Sequence, residues 1–361
     1  MDYTFNETVQ IPYATMLEWT KRIYMKAGMN DKDAHICADT AVMADARGVY
    51  SHGCMRTLIY CSRIFDGGTS AVAQPTIERE LGATAVVDGH NAMGQVVGVY
   101  GMNVAIEKAR KYGTSAVSIT HGNHLGTCAY FAEMALKEDM IGFMWTNGGP
   151  VMAPWGGTER QLGNNPFAIA VPCLERKPIV LDMAQSIVAR GKVVMARKTG
   201  APIPDTWALD TNGEPTTDAT AGYWGTVRPV GDYKGSSLSI LVSILSAVIP
   251  GTAVGGGLVD LYEETDRVCD TGQLIQVVNL SAFTDVQAFK KRMDNYVDYL
   301  KNGKKAKGFS EIYVPGEPEH LMYEKQIKEG ITFPVEVVRE YHSLCDQLNV
   351  EKMVALPEDA R

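Results

Sequence analysis

The run Ser115-Ala-Val-Ser-Ile-Thr120, ended by His121-Gly-Asn-His-Leu-Gly-Thr127, constrains the fold more than any other stretch. An apolar, β-branched run reads as a buried strand, and the glycine-punctuated turn after it delivers imidazoles to the strand's end. Cys128 to Lys137 then spaces Tyr130, Phe131, Met134 and Ala135 on one face of an amphipathic helix. Upstream, Ala83-Thr-Ala-Val-Val-Asp88 reads as a strand and Val96 to Tyr112 as the helix between the two, a βαβ rhythm that sets an α/β class. Ligands of open α/β sheets gather beyond strand ends. His124 is therefore the first candidate for proton transfer, because imidazole changes charge near neutral pH.

The rest of the chain extends this pattern. Ile141 to Thr146 reads as a strand running into Asn147-Gly148-Gly149-Pro150, and Phe167 to Pro172 and Pro178 to Asp182 as two more, paired across the turn at Glu175 to Lys177. Gln273 to Leu280 is a further strand, and Thr284 is expected to cap a helix through Leu300. Residues 13 to 28 and 31 to 47 show helical spacing closed by Gly28 and Gly48, and residues 319 to 330 and 335 to 349 are helical again. Leu238 to Ile249 is apolar nearly all round, so a buried helix is expected, stopped by Pro250-Gly251 and too short to span a bilayer. Residues 71 to 80 read as a polar connector. Residues 199 to 229 read as a long excursion in which Trp207 and Trp224 need burial, and Ile312 to Pro318 as a short strand and turn returning to the cleft.

A formal charge of −8 over 361 residues argues against a nucleic-acid groove, so an anionic ligand must be met by local cations. Arg56, Tyr60 and Arg63 share one helical face just after Ser51-His52-Gly53, and two cations beside a histidine suggest a bound anion. Asp182 closes a strand shortly before Arg190 and Lys192. Lys234, at the amino end of the 238–249 helix, opposes the helix dipole unless an anion sits there. Gly89, Gly94 and Gly98 lack the GxGxxG spacing of a Rossmann turn. His121 and His124 lack the glutamate and helical spacing of a zinc pair, so no metal is expected. Seven cysteines without a CxxC pair read as reduced thiols of a cytoplasmic protein. The amino terminus has no signal-peptide blocks, and no apolar run is long enough for a membrane span.

Several stretches, in order along most of the chain, carry a family resemblance: Ser51-His-Gly with Arg56 and Tyr60, Asn123-His-Leu-Gly126, Thr146-Asn147, Met152 to Gly157, Gly163 to Pro166, Leu181-Asp-Met-Ala184, Tyr233-Lys-Gly235 and Pro315-Gly-Glu317. Together they resemble the malate/L-lactate dehydrogenase-like oxidoreductases, which include ureidoglycolate, sulfolactate and diketogulonate dehydrogenases. The resemblance implies a non-Rossmann mixed β-sheet flanked by helices, with a helical domain built from the N- and C-terminal segments. Residues 1–74, joined by 284–361, would form that substrate-side domain, and 75–283 the cofactor-binding one. It implies hydride transfer between a nicotinamide, NAD with NADP left open, and a small 2-hydroxy acid, in a homodimer. By the same likeness His52 and His124 act at the reacting carbon, Arg56 pairs the substrate carboxylate, and Ser51 and Tyr60 line the pocket. Asn147, Gly148, Asp182, Met183, Ala184, Lys234, Pro315, Gly316 and Glu317 would meet the cofactor. Gly148 stands where the family often has serine, and Ser236-Ser237 where Tyr-Gly is frequent. A cyclic 2-imino acid reductase and a non-catalytic nucleotide- or acid-binding protein share the same fold-level signals.

Overall fold

The computed structural model describes residues 7–356. Seven strands form the central sheet: β1 (Thr76–Leu81), β2 (Thr84–Asp88), β3 (Thr114–Gly122), β4 (Met140–Thr146), β5 (Phe167–Val171), β6 (Ile179–Met183) and β7 (Thr271–Asn279). Their order is β1-β2-β3-β7-β4-β5-β6. Within this sheet only β2 and β3 run parallel, joined by the helix Gly94–Tyr112; the other neighbours are antiparallel. The sheet is mixed, and it does not repeat the crossover that builds a Rossmann half. β3 lies inside it, between β2 and β7, with Val117 and Ile119 fully buried. That is why its run is apolar rather than alternating.

A second apolar core lies beside the sheet. Thr8–Ile11 pairs antiparallel with Ile331–Pro334, tying the two ends of the chain together. The helices Tyr13–Lys26, Asp31–Ala46, Thr57–Asp66 and Val335–Leu348 bury Trp19, Ile23, Val42, Cys61, Val338 and Tyr341 in one cluster. The helix Val286–Lys301 packs elsewhere, with Met293, Val297 and Leu300 against Cys173, Ile179 and Val314 at the β5–β6 edge. Its cap is Asp285, which accepts the Ala288 N–H at 2.8 Å, and not Thr284, whose hydroxyl accepts from Arg292.

Three further expectations change. The connector 71–80 runs into β1, an edge strand with every residue exposed, Ile77 and Leu81 included, so no buried face leaves an alternation to read. The 238–249 helix spans Tyr233–Ser243 and a π turn, Ile244–Val248, and is buried on one face only. Small residues make that face: Ser236, Ser239, Ser246 and Ala247 are buried, and a Cβ on Gly272 of β7 would lie 2.0 Å from the Ser246 carbonyl oxygen. Close approach needs small side chains, so Leu238, Leu241, Ile244 and Val248 stand outside, 39% to 58% exposed. In the 199–229 excursion Trp207 packs on a small core containing Val193, Ile203 and Val227, whereas Trp224 is exposed.

Candidate active site

The first half of the site is a turn seated by a buried carboxylate. After Asp31–Ala46, two short 3-10 turns, Tyr50–His52 and Cys54–Arg56, flank Gly53. Asp45 Oδ2 accepts the Cys54 N–H at 2.7 Å, and a Cβ on Gly53 would sit 1.9 Å from Asp45 Oδ1. Only glycine allows that approach. Burial raises the Asp45 carboxyl to about 7. Arg56 Nε closes the turn by donating to the Ser51 carbonyl at 2.7 Å, leaving Ser51 Oγ 2.9 Å from His52 Nδ1.

The second half is delivered by β3. Asn123, just past the strand, donates to the Asn91 and Ala92 carbonyls and to Asn91 Oδ1, which pins the backbone before His124. The rings of His52 and His124 then stack at 5.6 Å between centroids, tilted by 21°. Tyr60 Oη lies 2.6 Å from His124 Nδ1. Burial, then the Arg56 charge, lowers His52 to about 3. For His124 burial, then His52 and Arg56, holds the imidazole well below its usual value. Burial keeps Tyr60 a neutral phenol by raising its hydroxyl. His121 parts from this group: at φ +47 it is exposed, and its Nδ1 pairs with Asp88 at 3.0 Å. Arg63 also parts from it. Fully buried, it donates to the carbonyls of Leu261, Glu264, Gly68 and Arg267, so it holds a loop rather than an anion.

A cleft of about 530 Å³ opens beside these rings, bounded by Ser51 and His52 and by segments 126–130, 180–184 and 313–319. Its size lies in the ordinary range of ligand clefts. Asp182, Met183, Ala184, Pro315 and Gly316 line it. Asp182 Oδ2 accepts the Ala129 N–H at 2.7 Å, at the amino end of the short helix Cys128–Ala132. Although it opens to the cleft, the surrounding walls raise its carboxyl to about 6, so it is an anion at neutral pH. Four of the expected cofactor contacts do not reach this wall. Glu317 turns away, with one oxygen 2.6 Å from Lys301 Nζ and the other accepting the Val314 N–H. Lys234 opens the helix Tyr233–Ser243, exposed and outside the cleft lining. Asn147 is buried; its amide donates to the Ala253 carbonyl at 2.8 Å and accepts the Gly272 N–H at 2.9 Å. Gly148 donates its N–H to Asn165 Oδ1. Ser236, the other departure, accepts the Trp155 N–H at 2.9 Å.

Residues 11–341 match the malate/L-lactate dehydrogenase family. The chain belongs to this family. It is 36% identical over 357 residues to a malate dehydrogenase of Pyrococcus abyssi, covering 97% of this chain and 98% of that one. An L-sulfolactate dehydrogenase of Methanocaldococcus jannaschii is 37% identical over 334 residues, covering 92% and 96%. The solved sulfolactate dehydrogenase of that organism superposes with a TM-score of 0.90 at 34% identity, over 95% of this chain and 98% of the other. This is therefore a hydroxyacid dehydrogenase, and nicotinamide use is implied by its family.

For such a dehydrogenase the cleft fits a nicotinamide dinucleotide on its own features. Gly126, at φ +87, has open space where a Cβ would stand, so bare main chain faces the cleft below His124. Gly316, at φ +85, packs so tightly that a Cβ there would lie 2.8 Å from the Val180 carbonyl oxygen, and this close approach folds the 313–319 turn against β6 to form the opposite wall. The Val180 N–H donates to the Pro315 carbonyl there at 3.0 Å; that one bond replaces the expected short strand. Two wall residues escaped sequence reading, Arg47 and Glu319; Arg47 is held at 2.6 Å by Glu133, which stands behind the wall. Glu319 lies two residues past the Pro-Gly-Glu motif, a position that a turn into a helix would flag. The Arg47–Glu133 pair joins two helices and carries no local signal. Among the described residues no group of three or more His, Cys, Asp or Glu side chains is placed to hold a metal ion.

Proposed function

We propose that this dehydrogenase interconverts a small 2-hydroxy acid and its 2-oxo acid at the paired imidazoles, with NAD as the redox partner. The observation that carries the reading is the convergence of His124 and Tyr60, from two distant parts of the chain, on His52, which lines the cleft, with Arg56 acting on both imidazoles. Arg56 binds the carboxylate through its planar fork. His124 moves the proton. With Nδ1 engaged by Tyr60, Nε2 is the nitrogen left for the substrate oxygen, and the tautomer with hydrogen on Nδ1 takes up the hydroxyl proton in oxidation. Burial lowers both imidazoles, so both are neutral at pH 7 and His124 has a free lone pair for the proton. His52, stacked on His124 and braced by Ser51, orients the same oxygen. Bound nicotinamide supplies the hydride acceptor. Asp182, Met183, Ala184, Pro315 and Gly316 line its groove.

Three finer points follow. Glu319 in the lining suits a ribose 2′-hydroxyl and repels a 2′-phosphate, and the lining cation Arg47 is already paired to Glu133, so NAD is favoured over NADP. The apolar stripe Leu238, Leu241, Ile244 and Val248 supports a homodimer, since a face of that kind is usually covered. Seven buried free thiols suit the reducing cytoplasm. Consumption of NADH against a panel of 2-oxo acids and one cyclic imino acid, repeated with NADPH, tests the reaction. Turnover of an oxo acid, faster with NADH, is expected. Turnover of the imino acid alone would make this an imine reductase, and cofactor binding without turnover would make it a binding protein.

A further inference from the structure

We propose that the acid turned over at this site carries one anionic group, its 2-carboxylate, with an uncharged group beyond the reacting carbon, and that Tyr262 forms the wall against that group. The proposal rests on the 2-hydroxy acid reading above and narrows its substrate class.

Tyr262 belongs to a loop without regular secondary structure that lies over Arg56, its ring centroid 5.2 Å from the guanidinium carbon. The loop is built rather than slack. Arg63 donates to its carbonyls at Leu261, Glu264 and Arg267, and Thr265 Oγ1 donates to Asp66 at 2.6 Å. Asp260 Oδ1 accepts the N–H groups of Tyr262 and Glu263. A Cβ on Gly68 would lie 2.1 Å from the Thr265 carbonyl oxygen, so the loop is pressed onto the end of the Thr57–Asp66 helix. A ring held this way is in place before substrate arrives.

The charges around it accommodate one anion. Among the described residues Arg56 is the one basic group whose charge acts on both His52 and His124. Three other guanidiniums are committed: Arg63 to four carbonyls, Arg267 to Glu264, and Arg47 to Glu133. The segment 258–268 carries Asp260, Glu263, Glu264 and Asp266 against the single cation Arg267. A second carboxylate or a sulfonate on the substrate would find an aromatic face and like charges instead of a partner. Excluding it in this way is discrimination by repulsion.

The test measures kcat/KM of the intact enzyme, with its preferred reduced nicotinamide, for pyruvate and 2-oxobutyrate against oxaloacetate and sulfopyruvate. The one-anion acids should be favoured by about tenfold or more, the effect of one unscreened like charge several ångströms away. Tyr262→Arg, at an exposed position that tolerates the change, should move that ratio toward the two-anion acids by a similar factor. A wild-type preference for oxaloacetate or sulfopyruvate would overturn the inference and leave the dehydrogenase reading standing. Turnover of none of the four would remove both.

Discussion

The contact between Tyr60 Oη and His124 Nδ1 makes the sharpest quantitative prediction, because it ties one hydroxyl to one proton-transfer ring at 2.6 Å. Tyr60→Phe removes that hydroxyl and keeps the buried ring. What remains near Nδ1 is the Gly126 N–H at 3.4 Å, a donor that cannot pair with a nitrogen carrying hydrogen, so nothing fixes the ring. A hydrogen bond lost at a buried polar group costs about 1–2 kcal/mol, which is roughly 5- to 30-fold in rate if the bond acts in the transition state. His124→Ala should cost about 10²- to 10⁴-fold in kcat. The decisive quantity is their coupling. If Tyr60 acts through His124, the double variant should be no slower than His124→Ala alone, giving a coupling of about 1–2 kcal/mol in a double-mutant cycle. Steady-state kcat for 2-oxo acid reduction reads all four corners. Equal losses from Tyr60→Phe with and without His124 would mean that the hydroxyl acts on the substrate directly, and the positioning argument would fail.

Three other outcomes are expected. Arg56→Lys should raise KM by about tenfold or more with less effect on kcat, since an ammonium cannot replace the planar fork; an unchanged KM would place the carboxylate elsewhere. Arg63→Met strands four carbonyls and should lower stability by about 3 kcal/mol or more, read as a lower urea midpoint, together with a raised KM from the loosened Tyr262 loop. Asp45 is held at about 7, above its unfolded value, so the folded state binds the extra proton and stability falls as pH rises from about 4 to 7. Asp45→Asn can still accept the Cys54 N–H and lacks that slope, so its stability relative to wild type should be higher at pH 8 than at pH 5 in urea titrations; a pH-independent difference would refute the buried acid.

Much of this architecture was legible because the informative strands are buried on both faces. β3 and β4 announce themselves as β-branched or apolar runs closed by glycine turns, and His124 sits in the turn that ends β3. β1 buries nothing, so its sequence carried no pattern to find. The Tyr233–Val248 stretch shows the opposite failure. Apolarity all round predicts burial, but which side is covered depends on close packing of Ser246 against Gly272, a fact of the partner strand. The site divides the same way. Helical spacing aligned Arg56 with Arg63, yet it gives direction and not depth, and Arg63 is spent on the main chain of a loop some two hundred residues away. Asn147 and Glu317 are chemically suited to a cofactor, but their polar atoms are taken by neighbours that only the folded chain brings near.

Direct hydride delivery to the carbon between Arg56 and the paired imidazoles is the central claim, and an isotope label tests it without any variant. The reduced cofactor carrying deuterium at C4 is incubated with the 2-oxo acid in ordinary water, once with the label on each face, and the product is examined by proton NMR. The label should appear at C2 of the hydroxy acid from one cofactor face only, with no loss to solvent. Product carrying solvent hydrogen at C2 with both labels would contradict direct transfer and with it the assignment of this cleft.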